Sequence, residues 1–378
     1  MTDRLARALN MNRGELPLAL LAVGFHFCVL CGYFFLRPVR DAMGVSRGMD
    51  DLRWLFILTS FVSLGLVLAF GGIVAKTNRR KFIPIAYLFV IVCLVAFSGL
   101  LVWDGFAGGG LIGSNAETTL SRGVGYSFYV WLSAINLFTT SVFWAFMVDV
   151  FDVDQGKRLF AFIGIGGTLG ALLGGTATTA ISSLTTSVFL PAGLMMLGAT
   201  FFAVGIMLML ALDRAALSST HSRLTANASS PRALERAERA AIGGTFWDGL
   251  RAVVTSPYLL GIGVWIIFMA ISNTMIYFTQ ANIVLTEADT FSQRVAGFAF
   301  FDALAQFMTL LTQMFITTHL IRRIGIGWTL AILPLVTMAG FAILSIWTVY
   351  GVMALFQAIH RATRYAVSRP SRETLFSV

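Results

Sequence analysis

The stretch YFFLRPVRDAMGV, residues 33–45, ends an apolar run that begins near Leu16. Arg37, Arg40 and Asp41 stand where a membrane-spanning helix would normally be ending. A charged side chain at the centre of such a helix costs about 2.5–3.5 kcal/mol on insertion scales. The stretch therefore predicts a membrane helix whose charged end either reaches the lipid headgroups or lines a polar interior.

The composition of the whole chain favours a membrane protein. Of its 378 residues, 57% are hydrophobic and 12% are charged, whereas soluble domains carry about 25% charged residues. The polar first residues lack a cleavable signal pattern, so the first apolar segment is expected to direct insertion. The three scattered cysteines predict neither a disulfide framework nor a metal site, and no cofactor is expected.

Apolar stretches long enough to cross a bilayer recur along the chain. Ten such segments are predicted, at residues 16–36, 54–75, 82–103, 125–149, 160–181, 188–212, 258–279, 295–317, 326–347 and 350–367. The predicted fold class is all-α, a polytopic membrane protein. Its expected domains are an N-terminal six-helix bundle (1–212), a cytoplasmic linker (213–257) and a partial C-terminal bundle of four helices (258–378).

Two basic turns indicate that the halves are weak copies of each other. GGIVAKTNRRKFIP and THLIRRIGIGWTLAILP each follow the second helix of their half and precede a helix with an early proline. The first turn resembles, in degenerate form, the turn between helices two and three of the major facilitator superfamily. Parallel repeats of six helices are typical of that superfamily. Only four helices follow the linker, so a truncated second half is expected rather than a ten-helix variant.

Basic residues predict the orientation of the helices. Most of the 27 Lys and Arg residues lie in every second connection between helices, which puts them on one side of the membrane. The N-terminal segment, the linker and the C-terminal segment are on this basic side. The positive-inside rule places these segments in the cytoplasm, and the protein is expected in a bacterial inner membrane. The net charge of +9 is explained by basic loops facing anionic lipid, so no nucleic-acid partner is expected.

Polar side chains form stripes on several predicted helices. Residues 26, 33, 37 and 40 share a face of helix one, and residues 357, 361 and 364 share a face of helix ten. Helix eight adds Asp302. Two arginines facing lipid would cost about 5–7 kcal/mol, so the stripes predict a shared polar path. Three alternatives stay open: Arg37 and Arg40 reach the headgroups, His26 is a core histidine, and Asp302 is an internal partner of Arg361 or Arg364.

The glycine run FIGIGGTLGALLGG in helix five is close to a dinucleotide fingerprint. That motif requires a preceding strand, whereas these glycines lie inside an apolar span. Gly166, Gly170 and Gly174 instead form a ridge of small residues at every fourth position, which predicts close helix packing.

Three stretches together resemble the ATP/ADP translocase family of nucleotide exchangers, which is related to the major facilitator superfamily. They are LRPVRDAMGV, FWAFMVDVFDVDQGKRLF and RYAVSRPSRE. The resemblance implies an exchanger whose basic and acidic side chains bind phosphates and change partners during transport. Matching positions are Arg40, Asp149, Lys157, Arg158, Arg364, Tyr365, Arg372 and Glu373.

The sequence therefore predicts a secondary transporter of an organic anion, a nucleotide or another phosphorylated metabolite, working as a monomer by alternating access. The expected substrate-binding residues are Arg37, Arg40, Arg361, Arg364, Gln357 and Tyr33. The expected gating or counter-charge residues are Asp41, Asp149, Lys157, Arg158, Asp302, Arg372 and Glu373. The alternatives are a proton-coupled carrier in which Asp302 or His26 titrates, and a non-transporting membrane scaffold. The sequence shows no nucleophile–base pair, metal-ligand cluster or phosphate-binding loop, so an enzyme is not expected.

Overall fold

The computed structural model describes residues 15–74, 79–226 and 254–369, and these residues form ten α-helices and no strand. The helices are α1 (Leu16–Val45), α2 (Met49–Val74), α3 (Arg79–Phe106), α4 (Thr119–Val150), α5 (Val153–Leu184), α6 (Leu190–Ala226), α7 (Pro257–Glu287), α8 (Phe291–Phe315), α9 (Thr317–Ile346) and α10 (Tyr350–Ala362). One helix corresponds to each predicted apolar segment. The last is followed by a π-helical stretch, Thr363–Ser368.

The helices form because an unbroken apolar segment in lipid must satisfy its backbone hydrogen bonds internally. Within the described residues, eight of the ten helices are long and apolar enough to cross a membrane. The other two are α2, which has Asp50 and Asp51 in its first turn, and α10, which has 13 residues before the π-helical stretch.

Side-chain caps set several helix starts. Thr118 precedes α4, and its hydroxyl accepts a hydrogen bond from the backbone N–H of Ser121. Capping boxes begin α5 at Asp152 and α8 at Thr290. These caps satisfy backbone N–H groups that have no partner inside the helix.

The predicted glycine ridge on α5 lies directly against the backbone of α1. A Cβ added at Gly166 would lie 2.5 Å from the carbonyl oxygen of Val23, and one at Gly170 would lie 2.2 Å from that of Phe27. No side chain fits at such distances. The ridge therefore serves close helix packing, as predicted.

His26 lies in the same α1–α5 contact. Its Nδ1 hydrogen bonds to the Ile163 carbonyl oxygen at 3.0 Å, and its ring stacks on Phe143 with centroids 4.2 Å apart. A carbonyl oxygen only accepts, so Nδ1 is the donor. This arrangement supports the reading of His26 as a core histidine.

The chain divides into two compact units. One unit contains residues 1–213 and 280–378, and the other contains residues 214–279. In the first unit α5 packs closely on α8, because a Cβ at Gly175 would lie 3.2–3.3 Å from the backbone and Cβ of Ala303. The predicted division into a six-helix and a four-helix bundle stays a prediction.

Candidate functional site

A single carboxylate on α8 joins three helices in the first unit. Arg37 Nη1 of α1 lies 2.9 Å from Asp302 Oδ1, and Arg361 Nη1 of α10 lies 2.5 Å from the same oxygen. The exposed fractions of these side chains are 20% for Arg37, 3% for Asp302 and 10% for Arg361. The two arginines are therefore internal, and Arg37 does not reach outward to the headgroups.

The three residues lie at similar depth along their helices. Asp302 and Arg361 each stand 11 residues after the start of their helices, and Arg37 stands eight residues before the end of α1. At 1.5 Å per residue these positions are ~12–17 Å from one common end of the bundle. A hydrocarbon core is about 30 Å thick, so the ion cluster lies near the middle of the membrane.

Arg40 connects to this cluster through its neighbour Asp41. Arg40 Nη2 lies 2.5 Å and Nε 3.0 Å from Asp41 Oδ1, and Arg37 Nε lies 3.8 Å from Asp41 Oδ2. Arg40 also donates to the Ser133 hydroxyl of α4 at 3.1 Å and lies over the ring of Tyr129. Arg40 is thus held against α4 and, like Arg37, is not directed to the headgroups.

Two tyrosines border the same charges. Tyr33 is buried and interacts electrostatically with Arg37, Arg40, Asp41 and Asp302. Tyr365, in the π-helical stretch, interacts with Arg37, Arg361 and Arg364, and the Arg364 guanidinium lies 5.4 Å from its ring centroid. The structure therefore brings together the predicted charges of helices one, eight and ten. We call Arg37, Arg40, Asp41, Asp302, Arg361 and Arg364 the arginine cluster.

Polar atoms without hydrogen-bond partners lie beside the cluster. Gln357 Nε2 donates to Gln280 Oε1 at 2.5 Å, and Gln357 itself is 5% exposed. Gln357 Oε1, His360 Nε2 and Asp302 Oδ2 are buried and have no hydrogen-bond partner in the described part of the chain. A buried polar atom left without a partner costs roughly 1–3 kcal/mol, so this end of α10 retains hydrogen-bonding capacity that a polar ligand can use.

His360 and Ser133 are the site residues that sequence reasoning missed. His360 directly precedes Arg361 and is 1% exposed, and its position inside an apolar segment was a signal for it. Ser133 gives no such signal, because a lone serine in a membrane helix commonly bonds its own helix backbone. Its hydroxyl does donate to the Tyr129 carbonyl, at 2.7 Å.

Several predicted site residues lie apart from the cluster. Arg158 Nη2 pairs with Glu15 Oε1 at 3.0 Å, where α5 begins next to the start of α1. Asp149 is exposed at the end of α4. Arg372, Glu373 and the side chain of Lys157 fall outside the described residues.

The side chains of the arginine cluster differ from those of a metal site. In residues 15–74, 79–226 and 254–369, no group of three or more His, Cys, Asp or Glu side chains could hold a metal ion. The cluster instead combines four guanidinium groups with the carboxylates of Asp41 and Asp302. Guanidinium forks bind carboxylate or phosphate oxygens through two parallel hydrogen bonds, so the arrangement suits an anion.

Comparison with known proteins places these features in a family. A family model described as the TLC ATP/ADP transporter matches residues 118–366. No curated protein sequence matches the chain. The crystal structure of a D-xylose-proton symporter aligns with a TM-score of 0.50 at 15% identity, covering 91% of this chain and 79% of that one. At that identity the likeness shows the fold alone, and it agrees with the predicted all-α fold of the major-facilitator type.

Proposed function

The chain belongs to the TLC ATP/ADP transporter family, and from that premise we propose that it exchanges organic anions across the membrane, with nucleotides such as ATP and ADP as the first candidates. It is an integral membrane transporter of a small molecule. The observation that supports an anionic substrate is the Asp302 carboxylate bound by Arg37 and Arg361 at the middle of the membrane.

Asp302 occupies the position that a phosphate of the substrate would take. A carboxylate and a phosphate present similar oxygens to a guanidinium group. When no substrate is bound, Asp302 neutralises Arg37 and Arg361, which avoids the several kcal/mol that an unpaired buried charge costs. A bound phosphate replaces Asp302 on one or both arginines.

This change of partners provides a reason for obligatory exchange. Arg37 belongs to α1 and Arg361 to α10, whereas Asp302 belongs to α8. A substrate held by both arginines would break the two salt bridges of Asp302 on α8. Departure of the substrate would allow these salt bridges to form again. A ligand shifts a conformational equilibrium only when its binding free energy differs between the two conformations. Asp302 therefore acts as the counter-charge, and Arg37 and Arg361 as the anion-binding pair.

The net charge of the arginine cluster supports the same assignment. Among the described residues, the cluster contains four guanidinium groups and two carboxylates. Guanidinium groups bind carboxylate and phosphate oxygens, so this composition favours an anion carrying several negative charges. Gln357 Oε1 and His360 Nε2, which have no hydrogen-bond partner among the described residues, can bond hydroxyl or amino groups on the uncharged part of the substrate.

We also propose the orientation and state predicted from the sequence. In this proposal the N-terminus, the linker and the C-terminus are cytoplasmic, because connections rich in Lys and Arg favour that side, and the membrane is a bacterial inner membrane. The cluster is formed by helices of one chain, which favours a monomeric transporter.

Exchange by purified protein in proteoliposomes tests the proposal. Vesicles loaded with unlabelled ATP, ADP, an organic phosphate without a base, or xylose are placed in labelled ATP. Labelled ATP is expected to enter only vesicles that contain a nucleotide or another phosphorylated solute. Uptake driven by a pH gradient into vesicles without an internal substrate would overturn exchange.

Charge-removing variants then test the site. Arg361→Gln and Arg37→Gln are expected to lower uptake at least tenfold, because each removes a guanidinium that contacts the anion. The matched control is Arg53→Gln, which removes an arginine whose side chain is 65% exposed and pairs with Asp50. Equal uptake by Arg361→Gln, Arg37→Gln and the control would reject the assignment.

A further inference from the structure

We propose that the groove between α5 and α8 binds one phospholipid whose headgroup carries a primary ammonium, as in phosphatidylethanolamine. Two adjoining cavities of different chemistry carry this inference. Both lie in the first compact unit, and they share Thr179 and Phe300 in their walls. Together they match the two parts of a lipid molecule.

The first cavity, the apolar groove, has a volume of about 670 Å³ and lies between Leu169–Ala180 of α5 and Phe300–Phe307 of α8. Its floor lies where Gly175 approaches Ala303. Its edges are large side chains that are 41–45% exposed, namely Leu169, Leu173, Phe300 and Phe307. The α5 edge extends over 12 residues, or ~16 Å from the first to the last, which matches one leaflet of ~15 Å. The groove thus fits an acyl chain of one leaflet.

The second cavity, the hydroxyl pocket, has a volume of about 600 Å³. It lies beyond the groove, where α5 ends at Leu184, α7 ends at Glu287 and α8 begins at Phe291. These helix ends are at the level of lipid headgroups. The pocket therefore continues the groove toward the membrane surface opposite the start of α1.

Hydroxyl groups and one carboxylate line the hydroxyl pocket. The hydroxyls belong to Thr179, Ser182, Ser183, Thr186, Ser292 and Tyr350. Ser182 is 2% exposed, and its hydroxyl has no hydrogen-bond partner among the described residues. The Ser182 hydroxyl can therefore donate to a lipid phosphate oxygen, whereas the hydroxyls of Thr179, Ser183 and Tyr350 donate to backbone carbonyls.

Glu287 decides which headgroup fits. It is the one formally charged side chain among the residues that line the described pocket, and it is exposed. A primary ammonium can donate three hydrogen bonds to a carboxylate. A choline headgroup has no N–H to donate, and a glycerol headgroup leaves the lipid with a net negative charge that Glu287 repels. The pocket is therefore complementary to a headgroup with both a phosphate and an ammonium.

Native mass spectrometry of the purified protein tests the inference, with phosphatidylethanolamine, phosphatidylcholine and phosphatidylglycerol of identical acyl chains. One phosphatidylethanolamine is expected to remain bound under activation that removes the other two. Glu287→Gln is expected to lower its retention ~10-fold, the effect of losing a charge-assisted hydrogen bond. Asp289→Asn is the control, because it removes an exposed carboxylate two residues away.

A groove-filling variant separates a lipid from a soluble ligand. Thr176 lines the apolar groove and is exposed, so Thr176→Phe is expected to lower retention of phosphatidylethanolamine. The exposed Thr200 lies on α6, outside both cavities, and Thr200→Phe is expected to have no effect. Equal retention of the three lipids, unchanged retention in Glu287→Gln, or displacement by phosphoethanolamine without acyl chains would overturn the inference.

Discussion

Arg37 Nη1 lies 2.9 Å from Asp302 Oδ1, so a salt bridge joins α1 to α8 near the middle of the membrane. Because Arg361 binds the same carboxylate oxygen, the removal of Asp302 affects three helices at once. The contact has two consequences that can be separated by experiment: it stabilises the substrate-free protein, and it competes with an anion for the arginines.

Asp302→Asn is expected to destabilise the protein while strengthening its response to an anion. Removing one partner of a buried ion pair costs about 3–5 kcal/mol, because the remaining charge is left uncompensated. The thermal midpoint without substrate should therefore fall. The rise in midpoint on adding ATP should exceed that of the unsubstituted protein, because ATP no longer competes with the carboxylate.

Asp50→Asn is the control for this experiment. Asp50 also pairs with an arginine, Arg53, but its side chain is 89% exposed, and such pairs contribute ~1 kcal/mol or less. The thermal midpoint of Asp50→Asn and the rise in that midpoint on adding ATP should match those of the unsubstituted protein. An unchanged response to ATP in Asp302→Asn would contradict competition for the arginines.

The double variant Asp302→Asn/Arg361→Gln is expected to recover stability without recovering transport. Loss of both partners leaves fewer unpaired charges than loss of Asp302 alone, and Arg37 retains Asp41 at 3.8 Å. The thermal midpoint should lie above that of Asp302→Asn. Uptake of labelled ATP should stay at least tenfold below that of the unsubstituted protein. Recovery of uptake together with stability would assign the pair a structural role alone.

Much of this site could be predicted from the sequence, because two physical rules govern the composition of membrane helices. A long apolar segment predicts a helix, and a charge inside it must face a polar interior. These two rules located Arg37, Asp302 and Arg361 and indicated the order of the helices. The ridge at Gly166 and Gly170 followed from the spacing of small residues in the same way.

The pairing of side chains could not be predicted from the sequence, because it depends on distances between helices that lie far apart in the sequence. The stripe of helix one predicted one face for His26, Arg37 and Arg40, yet each meets a different helix. His26 bonds α5, Arg37 bonds α8 and Arg40 bonds α4. Long arginine side chains extend well beyond their Cα positions, so helical spacing alone cannot fix their partners.

Gly170→Leu is expected to disrupt the packing of α1 on α5. A Cβ at Gly170 would lie 2.2 Å from the carbonyl oxygen of Phe27, and backbone there cannot move away without separating the helices. The thermal midpoint in detergent should fall strongly. The control is Gly164→Leu, because a Cβ at Gly164 meets nothing within 4 Å and leucine is a better helix former than glycine. Equal midpoints for the two variants would contradict close packing at Gly170.

The buried ion pair between Arg47 and Glu117 is expected to contribute mainly to stability. Arg47, just after α1, binds both carboxylate oxygens of Glu117, one of them at 3.1 Å from its Nε, and the two side chains are 6% and 2% exposed. Burial and two-point contact make such a pair stronger than an exposed one. A double-mutant cycle with Arg47→Gln and Glu117→Gln should therefore give a coupling energy above ~1 kcal/mol in denaturant unfolding, while the Arg53–Asp50 cycle should give almost none.

The Arg47 and Glu117 variants should retain exchange, because no contact joins this pair to the arginine cluster among the described residues. Loss of exchange at temperatures where the variants remain folded would show that this pair takes part in transport.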